Sequence, residues 1–206
     1  MQDFLAGTAR SLGLWIVGGT LPLVATSADH VRNTSLAYSP QGECVARYDK
    51  IHLFRFDNGR EQYDESRVIE AGAGPQAFVL PSRDGHAWRV GLSVCYDLRF
   101  PELYRALAAD LLLVPSAFTY GTGEAHWELL LRARAVENLA YVAAPAQGGR
   151  HENGRRTWGH SMVVDPWGQL LAQRAEDGEG VVLAEITASR LAQVRGQLPA
   201  LAHRVL

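Results

Sequence analysis

The run Trp88-Arg89-Val90-Gly91-Leu92-Ser93-Val94-Cys95-Tyr96-Asp97-Leu98-Arg99-Phe100-Pro101-Glu102 constrains the chain more than any other. Val90, Leu92 and Val94 read as a short buried strand, and Pro101 suits the first turn of a helix, where its missing N–H costs little. Cys95 therefore falls at a strand-to-helix turn. There its sulfur can face a pocket, while backbone N–H groups and the helix dipole favour negative charge, which are the conditions for a reactive thiolate. Free cysteine is also among the most buried residue types, so an inert core thiol competes with the reactive one while Cys95 is considered alone.

The sequence holds 206 residues, 47% of them hydrophobic, with a net charge of -2. That is enough apolar material for one sizeable core, and a single domain spanning 1–206 is expected. So balanced a charge gives no reason to expect nucleic acid or a membrane surface as partner. The two cysteines, Cys44 and Cys95, have no second Cys or His at short spacing. Neither a disulfide framework nor a zinc module follows, and a reducing, cytoplasmic setting is expected. The apolar stretch Leu12–Val24 superficially resembles a signal peptide, but Asp3 precedes the first basic residue and Gly18, Gly19 and Pro22 interrupt it. It reads as strand and turn.

In chain order, 3–11 reads as a helix feeding a strand at Leu14–Val17, and 33–48 as a hairpin about Ser39–Gly42. Phe54–Pro75 has the composition of a long surface loop, and such loops are more often functional than idle. Strands are expected at 77–80, 88–94, 111–114, 139–144 and 181–186, with a hairpin at 162–172 about Asp165–Gly168. Helices are expected after Cys95 to about Ala109, at 125–138 and at 188–197. In the second of these, Leu129, Leu130, Ala133 and Val136 form the apolar face and Glu128 pairs with Arg132. The residues 147–157 read as a basic loop. Alternating strands and helices with two hairpins give an α/β layered fold with mixed sheets.

Lys50 lies just past the second strand of the first hairpin. A cation brought near a cysteine lowers the thiol pKa and can later receive an oxyanion, although a lone lysine there is ordinarily only a solvated side chain.

Six segments in order, RYDKIHLF, YDES, GLSVCYDLRFPEL, PSAF, AHWELLLRARAVEN and GHSMVVDPWG, resemble the nitrilase superfamily of carbon–nitrogen hydrolases. The resemblance implies an α-β-β-α sandwich and a Glu–Lys–Cys triad with a second glutamate nearby. On this sequence Cys95 matches the nucleophile, Lys50 the lysine and Glu65 the second glutamate, with the Tyr96 N–H as oxyanion donor. Glu128 resembles a supporting position. The triad's first glutamate belongs, in this family, to a segment ahead of the stretch resembling Asp3–Gly19. An incomplete N-terminus, a truncation that lost catalysis and rescue by another carboxylate are the three explanations.

The wording of the segments is most similar to the branch that hydrolyses deaminated glutathione, then to the omega-amidases acting on 2-oxoglutaramate. The resemblance therefore implies a small amide bearing a carboxylate as substrate, no metal or organic cofactor, and a homo-oligomer, a dimer or higher. Arg99 is the first candidate for the carboxylate, with Arg150 and Arg155 as others, although Arg99 pairing with Asp97 or Glu102 is the structural alternative. Phe118, Tyr120 and His126 are candidates for the pocket wall. A non-catalytic interaction protein and a redox-sensing Cys95 are the rival functions.

Overall fold

A computed structural model describes residues 1–59 and 61–205; Arg60, inside the expected 54–75 loop, and Leu206 lie outside the described residues. Helix α1 (Gln2–Leu12) stops at Gly13, whose φ of 63° is the left-handed turn that side chains resist. Strand β1 (Ile16–Val24) follows, pairs antiparallel with β2 (Val31–Tyr38), and β2 pairs with β3 (Cys44–Asp49). The strand expected at Leu14–Val17 thus continues through Gly18, Gly19 and Pro22. Pro22 is tolerated because β1 is the sheet edge, and a register slip between Gly19 and Leu21 absorbs an extra residue.

The stretch expected to be a surface loop contains a small hairpin, β4 (Arg55–Asp57) with β5 (Gln62–Asp64), followed by a tight turn at Glu65–Arg67. Asp64 caps that turn through the Ser66 N–H. The second sheet takes β6 (Gln76–Pro81), β7 (Ala87–Leu92), β8 (Leu111–Leu113) and β9 (Tyr141–Ala144). The expected loop at 147–157 folds as a second small hairpin, β10 (Gly148–Arg150) with β11 (Arg156–Trp158). Strands β12 (Ser161–Val164) and β13 (Leu170–Arg174) complete the large sheet in the order β13-β12-β9-β8-β7-β6. Its centre, β7-β8-β9, is parallel and its flanks antiparallel, the mixed sheet that the alternation and hairpins call for.

Helices α2 (Pro101–Leu107) and α3 (Tyr120–Asn138) make the two crossovers between the parallel strands. Their buried Tyr104, Leu107, Trp127 and Leu131 pack on Leu112, Val142 and Val164 of one sheet face. The other face, with Val90, Leu92 and Val94, packs on Ala37 and Tyr48 of the first sheet and on Leu191 of α4 (Ala188–Gln197). Helix α1 covers the far side of the first sheet through Leu5 and Ala9 against Leu36 and Tyr38. The layers are therefore helix, sheet, sheet, helix.

Two expectations are corrected here. Residues 181–186 form no strand; Val181 and Leu183 are about four-fifths exposed, at 79% and 83%, and no ladder takes them up. Helix α3 begins at Tyr120, five positions before the expected start, and in its added turn Gly123 packs directly on Trp158, where a Cβ would lie 2.2 Å from the side chain. Its buried stripe is Trp127, Leu131 and Ala135, while Leu129 is 68% exposed. Polar Arg134 and Asn138 share the inner face because each finds a backbone oxygen, Arg134 at Leu98 and Asn138 at Arg134. Leu131→Ala should cost about 2–5 kcal/mol in urea unfolding, whereas Leu129→Ala should stay within about 0.5 kcal/mol. Equal losses would contradict this orientation of α3.

Candidate active site

Loops at the carboxyl ends of parallel strands open a crevice at one edge of a sheet. Here β7 leads to Cys95, β8 to Pro115–Thr119, and β9 to Pro145–Gln147, and all three loops line one cavity of about 600 Å3. The first sheet and the chain after it supply the facing wall, with Gly19, Asn33, Lys50, Phe54 and Glu65.

Cys95 has a φ of 53°, in the left-handed region that costs an ordinary residue about 1–2 kcal/mol. Its N–H donates to Pro115 O at 3.0 Å, which anchors the turn to the β8 loop. Two residues on, the fully buried Asp97 carboxylate accepts the Val94 N–H at 2.8 Å and the Tyr48 hydroxyl at 2.7 Å. The same carboxylate accepts the His52 N–H at 3.2 Å and lies 2.7 Å from His52 Nδ1. Tyr48 and His52 flank Lys50, so one carboxylate ties the lysine-bearing segment to the cysteine turn.

Lys50 is 1% exposed, and its Nζ donates to Glu65 Oε2. That oxygen also accepts the Phe54 N–H at 2.7 Å, and the Glu65 N–H donates to Phe54 O at 2.9 Å. A buried ammonium persists only when paired and hydrogen-bonded, and the β4–β5 hairpin is what brings the partner. Burial pushes the Cys95 thiol above its usual range, and Glu65 adds to the rise. Lys50, a hydrogen bond from Ala117 and Arg155 pull the other way without overcoming it. Burial thus works against the thiolate that a helix dipole was expected to favour. Helix α2 starts only at Pro101, and a single tight turn, Cys95–Arg99, carries the cysteine.

Of the residues singled out from sequence, Cys95, Lys50, Glu65, Tyr96, Arg99 and Phe118 line the cavity together. Arg99 pairs with neither Asp97 nor Glu102; its guanidinium lies over the Tyr96 and Phe118 rings and reaches His126 Nδ1 at 3.3 Å. Tyr120, His126 and Glu128 are not brought to the cavity wall. Tyr120 packs on Trp158 under the Arg156 guanidinium, His126 is exposed, and Glu128 pairs with Arg132 at 3.3 Å on the outer face of α3. Arg155 lines the cavity and Arg150 does not. The network of Tyr48, His52 and Asp97 escaped the sequence reading, although each sits within two positions of Lys50 or Cys95. Among the described residues no group of three His, Cys, Asp or Glu is placed to hold a metal ion, and no helix is long and apolar enough to cross a membrane.

Comparison with known proteins agrees with this geometry. Residues 1–196 match the profile of the carbon-nitrogen hydrolase family. The chain is 44% identical over 210 residues to the deaminated glutathione amidase of Synechocystis, covering 99% of this chain and 75% of that protein. It is 38% identical over 199 residues to an omega-amidase of Homo sapiens, covering 95% and 69%. The crystal structure of the NitFhit protein of C. elegans superposes with a TM-score of 0.89 at 42% identity, over 99% of this chain and 50% of that one. With its layered fold, its ordered motifs and these likenesses in agreement, the chain belongs to the carbon–nitrogen hydrolase family, within the nitrilase superfamily.

Proposed function

We propose that the cavity hydrolyses the carbon–nitrogen bond of a small amide bearing a carboxylate, through a thioester on Cys95. The observation that carries this reading is a cysteine held in a left-handed turn on the same cavity as a buried, glutamate-paired lysine. The names of the relatives support the substrate class: deaminated glutathione leads, and 2-oxoglutaramate-type amides are the alternative.

In this scheme the Cys95 sulfur attacks the amide carbon, and the carbonyl oxygen takes up the negative charge. The Lys50 ammonium and the Tyr96 N–H receive it; one such donor is typically worth about 3 kcal/mol of barrier. The C–N bond breaks as nitrogen takes up the proton the Cys95 thiol gives up and leaves as ammonia; water then adds to the thioester carbon, its oxygen going to the acid and one of its protons back to the sulfur. Glu65 holds Lys50 in place, its Oε2 accepting from Nζ and from the Phe54 N–H.

Glu65 is the only carboxylate among the described residues that line the cavity. That favours a second reading, in which the cavity binds amides without turning them over, or belongs to a non-catalytic interaction protein. Ammonia release from glutaramate decides between them. We expect release from the chain, none after Cys95→Ala, and a fall of at least 100-fold after Lys50→Met with unchanged circular dichroism. Unchanged turnover in either variant would overturn its assigned role. No release from the parent chain, with Cys95 still protected from alkylation by the amide, would select the binding-only reading.

The thiol makes a further prediction. Because burial raises the Cys95 pKa, its alkylation rate should climb with pH through a midpoint above that of an ordinary cysteine thiol. Lys50→Met removes an influence that favours the thiolate, so the midpoint should move higher still. Iodoacetamide rates in a Cys44→Ser background measure both, and a downward shift would exclude Lys50 from contact with the thiol's field.

Self-association is carried as part of the same reading. Leu129 and Val136 are exposed on the outer face of α3, and Val136 meets the turn that carries exposed Trp167. Apolar surface of this kind favours a partner copy. A sedimentation mass of one chain at micromolar concentration would refute it.

A further inference from the structure

Two arginines line the cavity, and their surroundings differ. The Arg99 guanidinium lies over the rings of Tyr96 and Phe118, and its Nη2 reaches His126 Nδ1. Arg155 is held differently. Its Nη2 donates to Ala117 O at 2.7 Å, and its guanidinium carbon lies 5.3 Å from the Tyr63 ring centroid. Its Nε is buried and has no hydrogen-bond partner. Among the described residues no carboxylate lies within ion-pair distance of Arg155, and the cavity's one carboxylate, Glu65, is taken by Lys50. Arg174 Nε is likewise unpartnered, but the Arg174 guanidinium already meets Glu176 at 3.6 Å.

A buried N–H of a charged group is costly to leave unmade, and a guanidinium is the donor best matched to a carboxylate. Arg155 is also firmly placed. It closes the β10–β11 hairpin, whose Trp158 N–H donates to Phe118 O at 3.1 Å and whose Thr157 bridges to Thr119. The residue it grips, Ala117, lies in the same loop whose Pro115 O accepts the Cys95 N–H, so Arg155 and Cys95 are anchored on one short loop.

We propose that Arg155, which lines the cavity and meets no carboxylate of its own, binds the carboxylate of the substrate through the guanidinium N–H groups that Ala117 leaves free, and that Arg99 does not fill this role. A short amide whose carboxylate sits on Arg155 then has its other end free to meet Cys95. This rests on the reading of the cavity as an amide-binding site.

Protection of Cys95 from iodoacetamide tests it in the full chain, independently of turnover, with Cys44→Ser as background. Glutaramate and pentanamide differ only in that a methyl group replaces the carboxylate. Comparing the concentrations of the two amides that halve the rate cancels any change in the thiol itself. Glutaramate should protect at a concentration at least 30-fold lower than pentanamide. Arg155→Met and Arg155→Gln should each reduce that preference to below 3-fold, Arg155→Lys should restore part of it, and Arg99→Met should keep it.

A preference that survives in Arg155→Met and Arg155→Gln, or that collapses in Arg99→Met, overturns the assignment while leaving the amide site intact. Equal weakening of both amides in the Arg155 variants would mean a structural role and overturns it too. Failure of both amides to protect the parent chain removes the amide site itself, and this inference with it.

Discussion

The buried Asp97 carboxylate accepts hydrogen bonds from the segment that carries Cys95 and from the one that carries Lys50. From its own side comes the Val94 N–H, and from the β3 side come the Tyr48 hydroxyl and the His52 backbone, with His52 Nδ1 alongside. A desolvated carboxylate left without such donors would be expensive, so the network is satisfied only when the two sheets are correctly apposed. Tyr48 makes the dependence mutual. Burial and the adjoining Asp97 push its phenol far up, so it stays an O–H donor at any ordinary pH. His52, stacked at 3.7 Å on Phe100, leans on the chain just past the cysteine turn. Lys50 lies between Tyr48 and His52 and has little freedom once both are tied.

That clamp is needed because the site is locally unfavourable. A left-handed Cys95, a buried ammonium and an arginine Nε without a partner each work against folding when considered alone. They persist because they are mounted on a double sheet whose apolar residues are packed from both faces. Val90, Leu92 and Val94, at most 2% exposed, sit between the sheets and bring β7 to its end in register. The cysteine inherits its position from that strand. The strain thus lies where the strand's packing stops, as expected when a scaffold over-determines a reactive turn.

How much of this the sequence carried depends on the range over which each signal acts. The alternation at Val90, Leu92 and Val94, the turns at Ser39–Gly42 and Asp165–Gly168 and the last helix are local patterns, and each appears where it was expected. The buried face of α3 was not legible from hydrophobicity. Arg134 and Asn138 are hidden because they reach backbone oxygens, while Leu129 and Val136 look outward. The strand expected at 181–186 has the right residue types and lacks a neighbour to pair with, and propensity cannot supply one. The same limit hid the hairpin that delivers Glu65, since 54–75 reads as loop until Lys50 gives it something to reach. The thiol's high pKa was hidden as well, because burial is a property of the assembled cavity.

Charge shows the limit most clearly. The chain as a whole carries -2, and nothing in the order of its charges suggests an anionic ligand. Lys50 follows Asp49, Arg99 lies between Asp97 and Glu102, and Arg155 comes three positions after Glu152. Folding takes those acids elsewhere. Asp49 accepts Thr34 and Arg47, Asp97 is consumed by its clamp, and Glu102 and Glu152 are exposed. Among the described residues, what lines the cavity is three cations against one carboxylate, the reverse of the overall balance. Low-dielectric walls concentrate such a field, so the cavity favours anions in a protein whose net charge would repel them. The same sorting that makes room for a substrate carboxylate puts two cations, Lys50 and Arg155, where they ease formation of the Cys95 thiolate against the cost of its burial. Under the proposed function, substrate capture and activation of Cys95 draw on one electrostatic feature, and it exists only after the acids and bases have been separated by the fold.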